Sequence, residues 1–474
     1  MEEAELAYLG IDELRAAGVS SVQLVEALLK RIAELDAPDS STALRSVLSV
    51  SGSVLDDARA ADRGERSGPL SGIPVLVKDS IEVAGLPSCA GSTALAERPA
   101  RRDAPLVHRI REAGAVVLGT ANLSEWSNIR SVRSTSGWSA IGGLCGNPWA
   151  LDRSPGGSSS GSGAALAAGL TVLAVGSETD GSITCPSSLN GVVGIKPAVG
   201  AVPRGGTVPV STSQDSPGPM ARTTEDAALL FEVLTGSSGV RARARGGVDG
   251  VCVGVARTWR TAHPATDARF DEAVEELRSA GATVTDVETA IPDAAVLADE
   301  LTVLLCELAD ALGAYLPGRG PGGPQDLAEV VAHERAHADV ELARFGHDLF
   351  EQALELGGTG ADRYLETRAR NLAWALETCL EPAMAGIDVL VAPTYGPAWK
   401  SDLVLGGHPG AASPVTTAPS VAGWPIATAP MVPVEGLPVG LGAVGRPGSE
   451  PLLLAVCGVV EHPARPGWHA PVRG

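Results

Sequence analysis

With 474 residues, 44 % of them apolar, the chain can bury a sizeable core, and its composition excludes a disordered polymer. A net charge of −20 excludes the basic stripes that phosphate backbones require, so no nucleic acid is expected among its partners. Aromatics make up only 3 %, so Val, Leu, Ile and Ala must build the core.

The first predicted element is a helix after Ser20. Ser20 and Gln23 fit a capping box, and Val22, Val25, Leu28, Leu29 and Ile32 recur at helical spacing. Val75-Leu76-Val77 and Ala115-Val116-Val117-Leu118 read as buried strands, the second after an amphipathic stretch through Leu106, Ile110 and Ala113. Residues 163–168 predict a short helix, and residues 170–175 a further buried strand. Arg241-Ala-Arg-Ala-Arg245, flanked by Gly and Ser, reads as a solvated loop. A strand–helix–strand unit follows: residues 251–255, a helix face of Phe270, Ala273, Val274 and Leu277 with Gly281 at its C-terminal cap, then residues 283–287. Residues 295–316 and 325–385 read as mostly helical around a Pro/Gly break, and residues 387–392 return to a strand. This alternation predicts an α/β fold with one large central mixed β-sheet covered by helices on both faces.

The seven cysteines are scattered, odd in number and without C-x-x-C spacing, so neither a disulfide framework nor a structural zinc site is expected. No apolar run is long enough to span a bilayer, and Met1-Glu-Glu-Ala-Glu lacks a basic region followed by an apolar one. The expectation is a cytoplasmic protein without a membrane partner.

Three segments hold the chemistry. Gly72-Ile73-Pro74-Val75-Leu76-Val77-Lys78-Asp79 ends an apolar run on a lysine. Ser154-Pro155-Gly156-Gly157-Ser158-Ser159-Ser160-Gly161-Ser162-Gly163 and Glu178-Thr179-Asp180-Gly181-Ser182-Ile183 are glycine-rich loops bearing serines. Serine needs a base within reach to act as a nucleophile, and a lysine serves once burial lowers its pKa. Glycine loops let successive backbone N–H groups converge on an oxyanion. Each segment alone also has a plainer reading, a snorkelling lysine or a tight turn.

Other motifs compete. Gly157-Ser158-Ser159-Ser160-Gly161 matches a nucleophile elbow, which would make Ser159 the nucleophile, but Pro148 and Pro155 break the strand an elbow needs. Dinucleotide and Walker fingerprints fail on their glycine and lysine positions. His333-Glu334-Arg335-Ala336-His337 satisfies H-E-x-x-H on a predicted helix, with His347 as a third candidate ligand for zinc. Its plainer reading is a polar, solvent-facing stripe.

The three segments together, in this order and spacing, resemble the amidase signature family, and the likeness runs to Gly436-Leu-Pro-Val-Gly-Leu441 and Gly445-Arg-Pro447. The resemblance implies a single domain over 1–474, with a catalytic core at about 70–225 and a C-terminal part at about 250–474 that completes the sheet and shapes the pocket. It implies Ser182 as nucleophile, Ser158 after a cis peptide bond as bridging serine, Lys78 as base, and an oxyanion hole from the amides of Thr179, Asp180, Gly181 and Ser182. The implied reaction is hydrolysis of a carboxamide through a seryl acyl-enzyme, without metal or organic cofactor.

Asn122-Leu-Ser-Glu-Trp126, Ser136-Gly-Trp138 and Leu151-Asp-Arg-Ser-Pro155 are similar to the peptide amidase branch, which hydrolyses C-terminal carboxamides, and so is the helix with His333 and His337. In that branch Trp126, Ser127 and Trp138 are pocket candidates. The partner is then a small-molecule or peptide amide, and the enzyme a monomer or homodimer. The alternative is an A-type subunit of a glutamine-dependent amidotransferase passing ammonia to a partner protein. Thr184 stands where many members carry arginine, and that departure speaks against the alternative.

Overall fold

The apolar runs fold as strands buried on both faces, as a sheet between two helical layers requires. The computed structural model describes residues 3–37 and 43–462. In chain order the strands of the large sheet are β1 (Val47–Val50), β2 (Pro74–Lys78), β3 (Val116–Ala121), β4 (Leu173–Glu178), β5 (Val193–Lys196), β6 (Ser216–Ala221), β7 (Cys252–Ala256), β8 (Thr283–Val287), β9 (Val389–Pro393), β10 (Ile426–Pro430) and β11 (Gly440–Val444). Among the described residues they form one eleven-stranded sheet in the order β1-β3-β2-β4-β6-β5-β10-β11-β9-β7-β8. The neighbours β3-β2-β4 run parallel, as do β9-β7-β8, and the other pairs are antiparallel. The sheet is therefore mixed, and the protein is a single α/β domain.

Strand alternation decides where the lysine points. Val75 and Val77 enter one apolar cluster and Leu76 another, on opposite faces of the sheet. Lys78, two residues beyond Leu76, shares its face. That face is covered by the helix Ser160–Ala167, which opens from the first serine loop. β2 lies parallel to β4 with Val77 opposite Val175, so both strands end at the same edge of the sheet.

Most predicted elements appear where the periodicity puts them. The helix Ser21–Leu35 starts on the Ser20–Gln23 capping box. The helix Pro264–Ser279 buries Phe270, Ala273, Val274 and Leu277, and Gly281 follows its end at φ +96°. Two boundaries differ. The short helix begins at Ser160, and β4 begins at Leu173, because Leu170 N–H still bonds to Ala165 O at 2.8 Å and belongs to the helix end. Arg241 to Arg245 do not form a loop: Val240–Arg245 is a short helix whose Arg241 and Arg245 pair with Asp12 and Glu225. No helix of the described residues is long and apolar enough to cross a membrane.

Candidate active site

Lys78 ends β2 with no solvent exposure. Its Nζ lies 2.7 Å from Ser158 Oγ, 3.0 Å from Ser177 Oγ and 3.1 Å from Ser177 O. Three acceptors satisfy the three N–H groups of an ammonium. Burial nevertheless holds the lysine down to about 7, against the opposing pull of the Asp215 and Glu178 carboxylates. In the neutral amine, two N–H groups suffice for Ser177, and the lone pair is left facing the Ser158 hydroxyl. Asp79, next in the chain, does not pair with the lysine; its Oδ2 accepts the backbone N–H groups of Cys89 and Gly91.

Ser158 is fully buried and follows a cis peptide bond from Gly157. A side chain at Gly157 would place its Cβ 2.3 Å from Ser124 Oγ, so the close approach of the loops admits only glycine there. Ser159, the elbow candidate, is occupied elsewhere. Its Oγ donates to Ser177 O and accepts from Ser177 N–H, both at 3.2 Å, which staples the first loop to β4.

The second loop is shaped by one carboxylate. Glu178, at the end of β4, accepts from Ile183 N–H at 2.6 Å, Thr184 N–H at 2.7 Å and Thr184 Oγ1 at 3.0 Å. These bonds curl the chain back between β4 and the helix Thr184–Asn190. Gly181 takes φ +76° in that turn, and a Cβ there would lie 2.8 Å from the Tyr395 hydroxyl. The N–H groups of Asp180, Gly181 and Ser182 donate to no protein acceptor among the described residues. Ser182 is 8 % exposed, and its carbonyl accepts from Ser159 N–H at 3.0 Å, joining the two loops.

A cavity of about 320 Å³ opens beside these loops. Ser177, Thr179, Asp215, Val208, Val210 and Tyr315 are among its walls, and so is Ser127. Of the three pocket candidates, Ser127 thus reaches the cavity. Trp126 instead packs edge-on against Phe350 at 5.9 Å, and Trp138 edge-on against Phe345 at 5.0 Å. Sequence reasoning missed Ser177, Glu178 and Asp215. Ser177 adjoins the recognised loop and Glu178 opens it, quoted there without a role; Asp215, which accepts from Thr179 Oγ1 at 2.6 Å, had no local signal.

The H-E-x-x-H segment is not a converging ligand set among the described residues, and it faces solvent everywhere except at Glu334. The His333 and His337 rings stack at 4.1 Å, and His333 Nε2 shares a hydrogen bond with Thr93 Oγ1 at 2.9 Å. Glu334 between them is fully buried beside Arg130. Burial removes the solvent-facing reading for Glu334, while Arg335 and His337 remain exposed.

A large mixed sheet with a buried lysine and two serine loops at one edge is the frame of an amide-hydrolysing enzyme. The chain belongs to the Amidase family, whose model matches residues 23–454. It is 34 % identical to a probable amidase of Arabidopsis thaliana over 95 % of this chain and 89 % of that protein. It is 32 % identical to the A-type subunit of the glutamyl-tRNA(Gln) amidotransferase of Symbiobacterium thermophilum over 95 % of this chain and 96 % of that one. The native peptide amidase of Stenotrophomonas maltophilia superposes with a TM-score of 0.89 at 38 % identity, covering 100 % of this chain and 98 % of the other.

Proposed function

We propose that the enzyme hydrolyses C-terminal carboxamides of peptides or similar small amides, with Ser182 as nucleophile, Ser158 as relay and Lys78 as base. The observation that carries this reading is the 2.7 Å contact between Lys78 Nζ and Ser158 Oγ in a buried site. Neutral Lys78 takes the Ser158 proton while Ser158 takes that of Ser182. Ser182 Oγ then attacks the amide carbonyl, and the oxyanion is met by the amides of the Thr179–Ser182 turn, of which those of Asp180, Gly181 and Ser182 have no protein acceptor among the described residues. The C–N bond breaks as the relay returns the proton to the leaving nitrogen. Water attacks the resulting ester along the same relay and releases the acid.

The cavity walled by Ser127, Val208, Val210 and Tyr315 suits the acyl side of the substrate. A TM-score of 0.89 to a peptide amidase, against 0.72 to the A-type amidotransferase polypeptide of Thermotoga maritima, favours hydrolysis over ammonia delivery to a partner. Thr184 supports the same preference, since its hydroxyl is committed to Glu178 inside the turn.

Ammonia release across peptide amides, aryl amides and glutamine is the direct test, with peptide amides expected to turn over fastest. Glutamine as the best substrate would reverse the assignment. Ser182→Ala is expected to lose covalent labelling by a fluorophosphonate, read as an absent mass adduct. Labelling retained at Ser159 would return the nucleophile to the first loop.

A further inference from the structure

Behind Ser127 lies a dense group of buried charges that the proposed chemistry does not use. Arg130, Glu125, Glu334 and Glu341 all have side chains without solvent exposure. The Arg130 guanidinium donates to Glu125 in a short hydrogen bond, to Glu341 Oε2 at 3.5 Å and to Phe345 O at 3.4 Å. It lies 3.8 Å from Glu334 Oε1 and over the rings of Phe345 and Trp138, 4.4 and 5.6 Å from their centroids. The carboxylates reach outward in turn. Glu125 accepts from Ala140 N–H at 2.6 Å, Glu341 from Thr93 N–H at 2.7 Å, and Glu334 shares a 2.8 Å hydrogen bond with His347 Nδ1.

Between Glu125 and Arg130 the backbone is left-handed three times running: Trp126 at φ +47°, Ser127 at +56° and Asn128 at +75°. None is glycine, and residues with side chains hold this region only where their surroundings over-determine it. The Glu125–Arg130 pair closes the two ends of this turn, and Ser127 at its middle is the residue that lines the cavity.

We propose that Arg130 is a positioning residue for substrate selection: by gathering Glu125, Glu334 and Glu341 it fixes the Trp126–Asn128 turn so that Ser127 forms the wall of the acyl cavity. This rests on the proposed function, in which the cavity receives the acyl side of the amide. Burial raises Glu125 and Glu334 above the usual carboxylate range, so the cluster does not depend on a charge at Glu334. Glutamine at Glu334 should therefore leave the wall in place, while loss of the guanidinium should not.

The experiment compares N-acetylphenylalaninamide, whose side chain fills the cavity, with N-acetylglycinamide, whose acyl residue does not. Wild type is expected to prefer the first. In Arg130→Met, KM for the phenylalanine amide should rise about tenfold or more, with kcat and the glycine amide changed less than about threefold. Fluorophosphonate labelling of Ser182 should persist, and Glu334→Gln should keep the wild-type preference. An unchanged preference in folded Arg130→Met overturns the inference, and so does an equal loss on both amides. Should that variant fail to fold, Arg130→Lys decides: it keeps the charge without the planar fork, and an intact preference there is equally fatal. Wild type that takes no label at Ser182 would refute the catalytic assignment instead, a separate outcome.

Discussion

Lys78 shows how burial turns an ordinary residue into a base. A lysine at its usual 10.5 is neutral in roughly one molecule in three thousand at pH 7. Held down to about 7 by burial, about half of Lys78 is neutral at that pH. Only the neutral amine accepts the relayed proton, so kcat/KM should rise with pH through about 7 and level off above it. Lys78→Met should remove this limb and lower the rate by about 10²–10⁴-fold; a flat wild-type profile from pH 5.5 to 8.5 would dismiss the lysine as base. Lys78, Ser158 and Ser182 were singled out because their three motifs occur together in one order and spacing, whereas each alone also reads as a snorkelling lysine or a tight turn. Their supports were not, because they arrive from afar: Ser177 is 99 residues from Lys78, Asp215 is 36 from Thr179, and Glu341 is 211 from Arg130. Likewise Glu334 looked like a surface residue only because its buried partner lies on another element.

The element that matters most is the turn from β4 into the helix Thr184–Asn190. Its curvature depends on Glu178, which is 1 % exposed and takes donors from both Ile183 and Thr184. Glu178→Ala would leave those buried amides without an acceptor, at about 1–3 kcal/mol each. The variant should melt several degrees lower, and label with fluorophosphonate more slowly, because the amides of the turn no longer share one orientation. A wild-type melt would show that the turn holds itself. Among the other elements, legibility followed periodicity. β2 and β3 were plain as apolar runs, whereas β6 carries Pro217 and Pro219 opposite Ser177 and Val175 inside the sheet. Proline argues against a central strand, so no local rule finds β6. The break at Pro317 was legible for the opposite reason, since it ends the long helix Ala294–Tyr315 at the surface.

The molecule as a whole carries a net charge of −20, and part of its acidity lies inside. Burial raises Glu125, Glu300 and Glu334 above the usual carboxylate range, Glu334 to about 8. Arg130 and the Trp126 indole oppose that rise, Glu341 adds to it, and Glu125 and His347 also face Glu334. A carboxyl with a raised folded pKa binds its proton more tightly when folded. Its contribution to stability is therefore full below about 4.5 and is lost as pH rises toward about 8. His347 and Lys78, both lowered by burial, act in the other direction as pH rises. The contribution of Glu334 is isolated by comparing wild type with Glu334→Gln, which keeps both of those groups and resembles the protonated acid. Between pH 6 and 7.5 the wild type should lose about 2 kcal/mol, or about 2 °C of melting temperature, relative to the glutamine variant. High salt shortens the reach of the surface charge but not of a pair buried side by side, so the difference should survive in 1 M NaCl. Parallel melting curves for the two proteins across that range would mean that Glu334 is ionised in the folded state, with Arg130 shared among more than one charge.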